Sequence, residues 1–306
     1  MSALCTMAAF LFTFTFTACD DDDDDDGGSS SGSSSSSSTS SKVGGFTGTD
    51  GVKYFLSSVT DESGSYAFEF SYDSNGNITE IVESDEGKCS ITYDPMTILY
   101  YRYDGEEEIT FSNITTNDNG YITGFTASGT VYGEILEETA TFTYDGNRLT
   151  NVTYDIVYSD DDYTDSYTGD VTFTWDSKGA LTKIMEVEDV SDSEGDVDVY
   201  TYSLQCDYGS YGYENATKQY TRWTWEIEDI EEDNVVECLA WLGYFGEGPA
   251  YLPEKVTQTE DEYSTEYETE YVSRSSGTVA AEYYYNDSNN NGYMSYSYIT
   301  EDELPE

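Results

Sequence analysis

From residue 46 onward, hydrophobic and polar side chains alternate. Tyr66, Phe68, Phe70 and Tyr72 are separated by Ala67, Glu69 and Ser71. Val152, Tyr154, Ile156 and Tyr158 interleave with Thr153, Asp155 and Val157, and Val171, Phe173 and Trp175 interleave with Thr172 and Thr174. Successive side chains of a strand point to opposite faces, so each run predicts a strand with one apolar, aromatic face and one polar face. The Thr, Tyr, Val and Phe that fill these runs also fit a pleated surface. The pattern predicts an all-β domain: a large antiparallel meander of roughly a dozen strands, closed into a barrel or strongly curled as an open sheet.

The strands are joined by a recurring turn. Tyr72-Asp-Ser-Asn-Gly76-Asn-Ile78-Thr-Glu-Ile81 returns with identical spacing as Trp175-Asp-Ser-Lys-Gly179-Ala-Leu181-Thr-Lys-Ile184. Thr116-Asn-Asp-Asn-Gly120-Tyr-Ile122 keeps the frame, and Tyr144-Asp-Gly146-Asn-Arg-Leu149 is one residue shorter. The Asp or Asn side chain can accept from amides further along the turn, and Gly supplies the positive φ that ends it. The Ile/Leu-Thr-x-Ile segment then begins the return strand with its apolar side inward. The intervals between these turns are irregular, which marks a hairpin device and not a fixed-period solenoid.

One segment breaks the period of two. Residues 234–245 predict a helix, with Asp233 or Asn234 at its N-cap and Gly246 at its end. Val235, Cys238, Leu239 and Leu242 share a face, which Trp241 and Phe245 widen. An almost wholly apolar helix among amphipathic strands is expected to pack inside the sheet or to plug a barrel mouth.

Charge narrows the partners. The chain has 306 residues, with 63 Asp and Glu against 11 Lys and Arg, a formal net charge of −52. Affinity for nucleic-acid phosphate rests on Lys and Arg, so nucleic acid is excluded as a partner, and adhesion to an anionic membrane surface is disfavoured on the same ground. With no histidine, Ser-His-Asp and Cys-His nucleophile systems, His metal ligands and an imidazole switch are excluded as well.

The chain divides into residues 1–19, 20–45 and 46–306. Residues 3–18 form an apolar stretch, too short and threonine-rich for a bilayer span, that ends at Ala18-Cys19. It reads as a secretory signal. The Ala18-Cys19 junction resembles the lipobox of bacterial lipoproteins, which implies that Cys19 is lipidated and becomes the mature N-terminus. Residues 20–26 are aspartates, followed by a Gly/Ser-rich run to about residue 41. Such a segment stays solvated, and residues 20–45 would act as a tether reaching on the order of 30 Å. An acidic stretch after a lipidated cysteine resembles the signal that sends some Gram-negative lipoproteins to the cell exterior. The expected location is therefore the outer membrane, held by lipid and facing outward. Cys89, Cys206 and Cys238 remain in the domain and match no metal spacing. They are expected to be buried thiols, with one disulfide as the alternative.

The Tyr-Asp-x-x-Gly-x-Leu-Thr-x-Ile element is similar to the YD repeats of Rhs-type proteins, which build long curled sheets. With the lipobox-like junction and acidic leader, the chain resembles an uncharacterised family of Gram-negative gut-bacterial lipoproteins of porin-like fold. Trp241-Leu-Gly243-Tyr-Phe-Gly246-Glu-Gly-Pro249-Ala-Tyr-Leu-Pro253 resembles that family's segment near its one helix. The resemblance implies a fold and a location. It implies no catalytic residues.

Three groups of residues are candidates for binding. Trp223 and Trp225 lie two apart with Ile227, hence on one strand face, where paired indoles can stack on sugar rings or fill the core. Tyr263, Tyr267 and Tyr271 form a stripe that can hold a glycan or peptide, or line the barrel. Asp287, Asn289 and Asn291 before Gly292 fit the first positions of a Ca²⁺ loop. Tyr298 stands where the bidentate Glu is needed, however, and the flanks read as strands, so a further hairpin turn is the expectation and Ca²⁺ the alternative. The acidic stretches 160–165 and 189–198 read as solvated charge, and no other cofactor is indicated.

The sequence thus reads as a non-enzymatic surface lipoprotein, a β-rich binding or scaffolding module for a glycan or peptide. Two alternatives stand beside it. One is a carboxylate-based glycan-degrading enzyme, which needs only two acids at the right separation. The other is a purely structural envelope protein.

Overall fold

The computed structural model describes residues 45–64, 66–84, 86–160, 163–192, 196–215, 218, 220, 221, 224, 234–261, 263–286 and 292–306. A short strand, β1 (Phe46–Thr47), precedes β2 (Lys53–Asp61), β3 (Ala67–Tyr72), β4 (Ile78–Glu83), β5 (Gly87–Thr92) and β6 (Thr97–Arg102). Longer strands follow: β7 (Glu107–Thr116), β8 (Ile122–Val131), β9 (Glu134–Asp145), β10 (Arg148–Ser159), β11 (Thr164–Trp175), β12 (Leu181–Ser191) and β13 (Val197–Asp207). Helix α1 (Asn234–Trp241) lies between β13 and β14 (Lys255–Glu260), and β15 (Tyr263–Ser273), β16 (Val279–Tyr285) and β17 (Gly292–Thr300) complete the sheet.

Every strand from β2 onward pairs antiparallel with the next, and β17 returns to β2 through Met294↔Asp61 to Thr300↔Tyr54. The sixteen strands β2 to β17 therefore form a closed barrel. Closure removes the open sheet edge that the sequence left as an alternative. The strand number exceeds the dozen expected, because runs such as 78–83 and 87–92 are only six residues long and pack two strands into a short stretch of chain.

The hairpin turns at one rim are built alike. Asp73 Oδ1 accepts from the amides of Asn75 and Asn77, both at 2.8 Å, while the Gly76 amide donates to the Asp73 carbonyl at 3.0 Å. Asn117 does the same with Asn119, Tyr121 and Gly120, and Asp176 with Lys178, Ala180 and Gly179. Gly76, Gly120 and Gly179 have φ of 79°, 86° and 84°. A fourth copy of the backbone frame, Arg274 to Thr278 with Gly277 at φ 80°, carries Arg where the others carry Asp or Asn.

An aromatic donor caps the start of strands at this rim. Tyr93 Oη donates to Ile78 O at 2.9 Å, Tyr144 Oη to Ile122 O at 2.6 Å and Trp175 Nε1 to Leu149 O at 2.8 Å. Tyr208 Oη donates to Leu181 O at 2.6 Å and Tyr298 Oη to Val279 O at 3.1 Å. In each case a residue at the end of one strand satisfies a carbonyl left over where the preceding strand leaves its turn.

The apolar face of the strands points inward. On β9, Leu136, Ala140 and Phe142 are buried while Glu137, Thr139, Thr141 and Thr143 are exposed; on β11, Val171 and Phe173 are buried while Thr168, Asp170, Thr172 and Thr174 are exposed. A bilayer-spanning barrel places its apolar side chains outward. This wall has the opposite polarity.

A sixteen-strand barrel is wide enough to leave a lumen, and described residues of the connection between β13 and β14, among them Thr221, Trp241 and Phe245, enter it. The Trp241 ring packs on Phe68 of β3 (centroids 5.5 Å apart), and Phe245 stacks on Phe142 of β9 at 4.6 Å. Thr221 donates to the buried Glu282 of β16 at 2.7 Å. Only a segment inside the barrel reaches walls so far apart around its circumference. The helix is one turn shorter than the sequence predicts. Gly243 (φ 85°) takes the left-handed position that ends the helix, with Gly246 (φ 96°) also at positive φ beyond it, and the Gly243 and Tyr244 amides fold back to the Ala240 and Leu239 carbonyls at 2.9 and 3.0 Å.

Candidate functional site

The segment that leaves the lumen lies across the turn rim at a fixed pitch. The Ile122 amide donates to the Tyr244 carbonyl at 2.7 Å, the Glu247 amide to the Asn147 carbonyl at 2.5 Å and the Ala250 amide to the Gly179 carbonyl at 2.9 Å. Residues 244, 247 and 250 thus meet the β7/β8, β9/β10 and β11/β12 turns in succession. Three extended residues span about 10 Å, the same as two strand spacings, so the segment matches the hairpin repeat. Its side chains fix it further. Glu247 is only 9% exposed, accepting from Asn147 Nδ2 at 2.9 Å and pairing with Lys218 Nζ at 3.1 Å, while Asn119 Nδ2 donates to Asn147 Oδ1 at 2.8 Å.

Beside this lacing an open cleft of about 440 Å³ is lined by Asp145, Asn147, Arg148, Trp175, Asp176 and Glu247, among others. The Arg148 guanidinium lies 5.6 Å from the centroid of the Trp175 ring. None of the ion pairs among the described residues involves Arg148. Asp176 Oδ1 is held by the amides of its turn, and its Oδ2 accepts from Tyr211 Oη at 2.7 Å. Those bonds hold the Asp176 carboxyl below the usual carboxylate range, although partial burial opposes them as the largest single effect. The surface continues with the half-buried rings of Tyr211 and Tyr251: Tyr211 stacks on the buried Tyr208 at 5.6 Å and meets Tyr251 edge-on at 5.1 Å, with Lys178 Nζ 3.4 Å from the Tyr211 centroid. Beyond it a second cleft of about 570 Å³ is lined by Tyr213, Asp207, Glu254 and Glu268, among others.

Carboxylates also face the lumen. The Tyr154 hydroxyl lies 2.7 Å from Glu186 Oε1 and 2.9 Å from Glu188 Oε1. It crosses β11 above Gly169, where a Cβ would stand 1.9 Å from the ring. Glu83 is pushed up to about 7, first by burial and then by the charges of Glu86 and Glu237, and burial raises the half-buried Glu138. Glu186 and Glu188 are 2% and 4% exposed. They are enclosed by the wall, unlike the groups of the open cleft.

The residues singled out from the sequence fall differently. Tyr267 and Tyr271 point inward and are buried, and Tyr271 packs on Tyr213 of the lumen segment at 5.2 Å, whereas Tyr263 at the strand start is 81% exposed. The three do not converge on one surface. Trp223, Trp225, Asp287, Asn289, Asn291 and Cys19 lie outside the described residues. Cys89, Cys206 and Cys238 are buried thiols that form no disulfide. Burial pushes the Cys206 thiol up to about 12 and also raises that of Cys238 well above its ordinary value. Sequence reasoning used Trp175 and Asp176 as turn residues and passed over Arg148 and Glu247. The inward acids left a legible signal: in Ile184-Met-Glu186-Val-Glu188-Asp-Val190 two glutamates occupy the apolar face of a strand.

An antiparallel barrel plugged by its own chain is the class of protein that these features define. Solved structures place it more closely. The chain is similar in fold to a porin-like protein from Bacteroides vulgatus ATCC 8482, with a TM-score of 0.56 at 14% identity, covering 80% of this chain and 98% of that one. It is similar in the same way to a porin-like protein from Bacteroides uniformis ATCC 8492, with a TM-score of 0.52 at 17% identity, covering 80% and 96%. At these identities the likeness is one of fold. No protein-family profile and no curated protein matches the chain.

Proposed function

We propose that the chain is a β-barrel protein of the outer membrane, lipid-anchored through Cys19 and facing the cell exterior, whose turn rim is a binding surface. The observation that carries this reading is the lumen segment, whose described residues pack on the inner walls of β3, β9 and β16 and then lie across the turns beside two open clefts. A lumen occupied in this way suits a stand for a rim better than a conduit. The outer faces of β9 and β11 are rich in Thr and acidic residues, which favours attachment through the N-terminal cysteine over a lipid-facing wall. The likeness in fold to porin-like proteins from Bacteroides fits an envelope role. Among the described residues the strands β2 to β17 close on themselves and only the two-residue β1 offers an edge, which favours a ligand held by side chains over an added strand.

Fractionation with surface proteolysis tests the proposal. The full chain should sediment with outer membranes and be cleaved by protease added to intact cells, and Cys19→Ala should release it. A Cys19→Ala protein that stays membrane-bound, or a purified protein that conducts ions across planar bilayers, would overturn the reading.

A further inference from the structure

We propose that the cleft between the β9/β10 and β11/β12 turns is a subsite for a neutral saccharide, an inference that rests on the reading of the rim as a binding surface. Charge disposes of the alternatives first. Asp145, Asp176 and Glu247 outnumber the one arginine in the cleft, on a chain of net charge −52, so phosphorylated, sulfated or uronic ligands are repelled. A simple cation is drawn to the acidic surface as a whole and has no reason to prefer this place.

What distinguishes the cleft is directional, pre-set polarity beside aromatic faces. Glu247 is immobilised by Asn147 and Lys218, and Asp176 by its own turn and Tyr211. Each carboxylate keeps further lone pairs for hydroxyl donors. Arg148 presents guanidinium donors that no carboxylate among the described residues occupies, in a fork suited to paired oxygens. Trp175 is pinned through its indole N–H, so its ring is oriented before any ligand arrives, whereas Tyr211, stacked on Tyr208 and faced by Lys178 Nζ, serves only to hold Asp176. A pyranose offers this same combination: an apolar C–H face for a ring and vicinal hydroxyls for planar polar groups. About 440 Å³ falls within the range of small-molecule sites, and the open mouth suits internal units of a chain as well as its end.

The test uses detergent-solubilised full-length protein on an array of neutral gluco-, manno- and galacto-oligosaccharides, beside sulfated oligosaccharides and short peptides. A neutral oligosaccharide should bind, and Arg148→Ala and the cleft-filling Ser177→Trp should each weaken it by about tenfold or more. Thermal melts of the variants separate lost binding from lost fold, and Ser177 is an exposed turn residue, so its replacement leaves the core untouched. No neutral oligosaccharide bound, or binding that neither variant moves, overturns the proposal. Peptide or sulfated ligands that bind in a manner sensitive to Arg148 overturn it too, but leave the rim as a binding surface.

Discussion

Glu247 and Asn147 clasp each other: the Glu247 amide donates to the Asn147 carbonyl at 2.5 Å, and the Asn147 side-chain amide donates back to the Glu247 carboxylate at 2.9 Å. The pair joins the segment leaving the lumen to a hairpin turn a hundred residues earlier in the chain. Glu247→Ala removes the acceptor of Asn147 Nδ2 and an ion-pair partner of the half-buried Lys218. The expected loss is about 1 to 3 kcal/mol in denaturant unfolding. Hydrogen exchange should speed up in residues 234–250 before it does in β3 to β12. Uniform acceleration would show that plug and wall open as one unit.

Gly169 gives Tyr154 its path across β11. Gly169→Ala puts a methyl where the ring now lies. The predicted cost is about 1 to 3 kcal/mol, and a double variant with Tyr154→Phe should cost less than the sum of the two single changes, because the hydroxyl that reaches Glu186 and Glu188 is already gone. Strict additivity would refute the coupling.

The pH dependence of stability has a definite sign at Glu83. Its carboxyl is raised from 4.5 to about 7 in the folded protein, chiefly by burial. The folded state therefore holds a proton that the unfolded chain releases, and the contribution of this group falls as pH rises from about 4.5 to 7, then stays flat. The full span is at most about 3 kcal/mol. Glu83→Gln should be more stable than the parent at pH 8 and lose that advantage at pH 4. An advantage constant across this range would mean that Glu83 does not titrate as stated.

Thiol chemistry offers a simple probe of the core. Cys89, Cys206 and Cys238 are buried, and burial disfavours the thiolates of Cys206 and Cys238. Iodoacetamide should leave all three unmodified in the native protein and label them after denaturation. Rapid native labelling of Cys238 would place α1 outside the barrel.

The strand pattern was legible because it is local. Val152, Tyr154 and Tyr158 are buried and Thr153 and Asp155 are exposed, as a period of two requires. The turn frame was legible for a similar reason, since Oδ1 of Asp73, Asn117 and Asp176 accepts from the amides two and four residues on. Arg274 shows the limit of that signal: the same backbone forms without the acceptor side chain, under the direction of Gly277 and its neighbouring strands. The rim was not legible. Arg148, Trp175 and Glu247 are far apart in the chain and come together only when the lumen segment crosses the turns in three-residue steps.

By itself, then, the amino-acid order determined alternation, turn chemistry, the position of the helix and the acidity that limits partners, since each depends on a residue and its near neighbours. Only the tertiary structure decided that the ribbon closes on itself at sixteen strands, that α1 and Phe245 turn inward, and which polar groups meet at the rim. Those outcomes depend on the sheet's accumulated curvature and on contacts between distant segments, which no local pattern encodes.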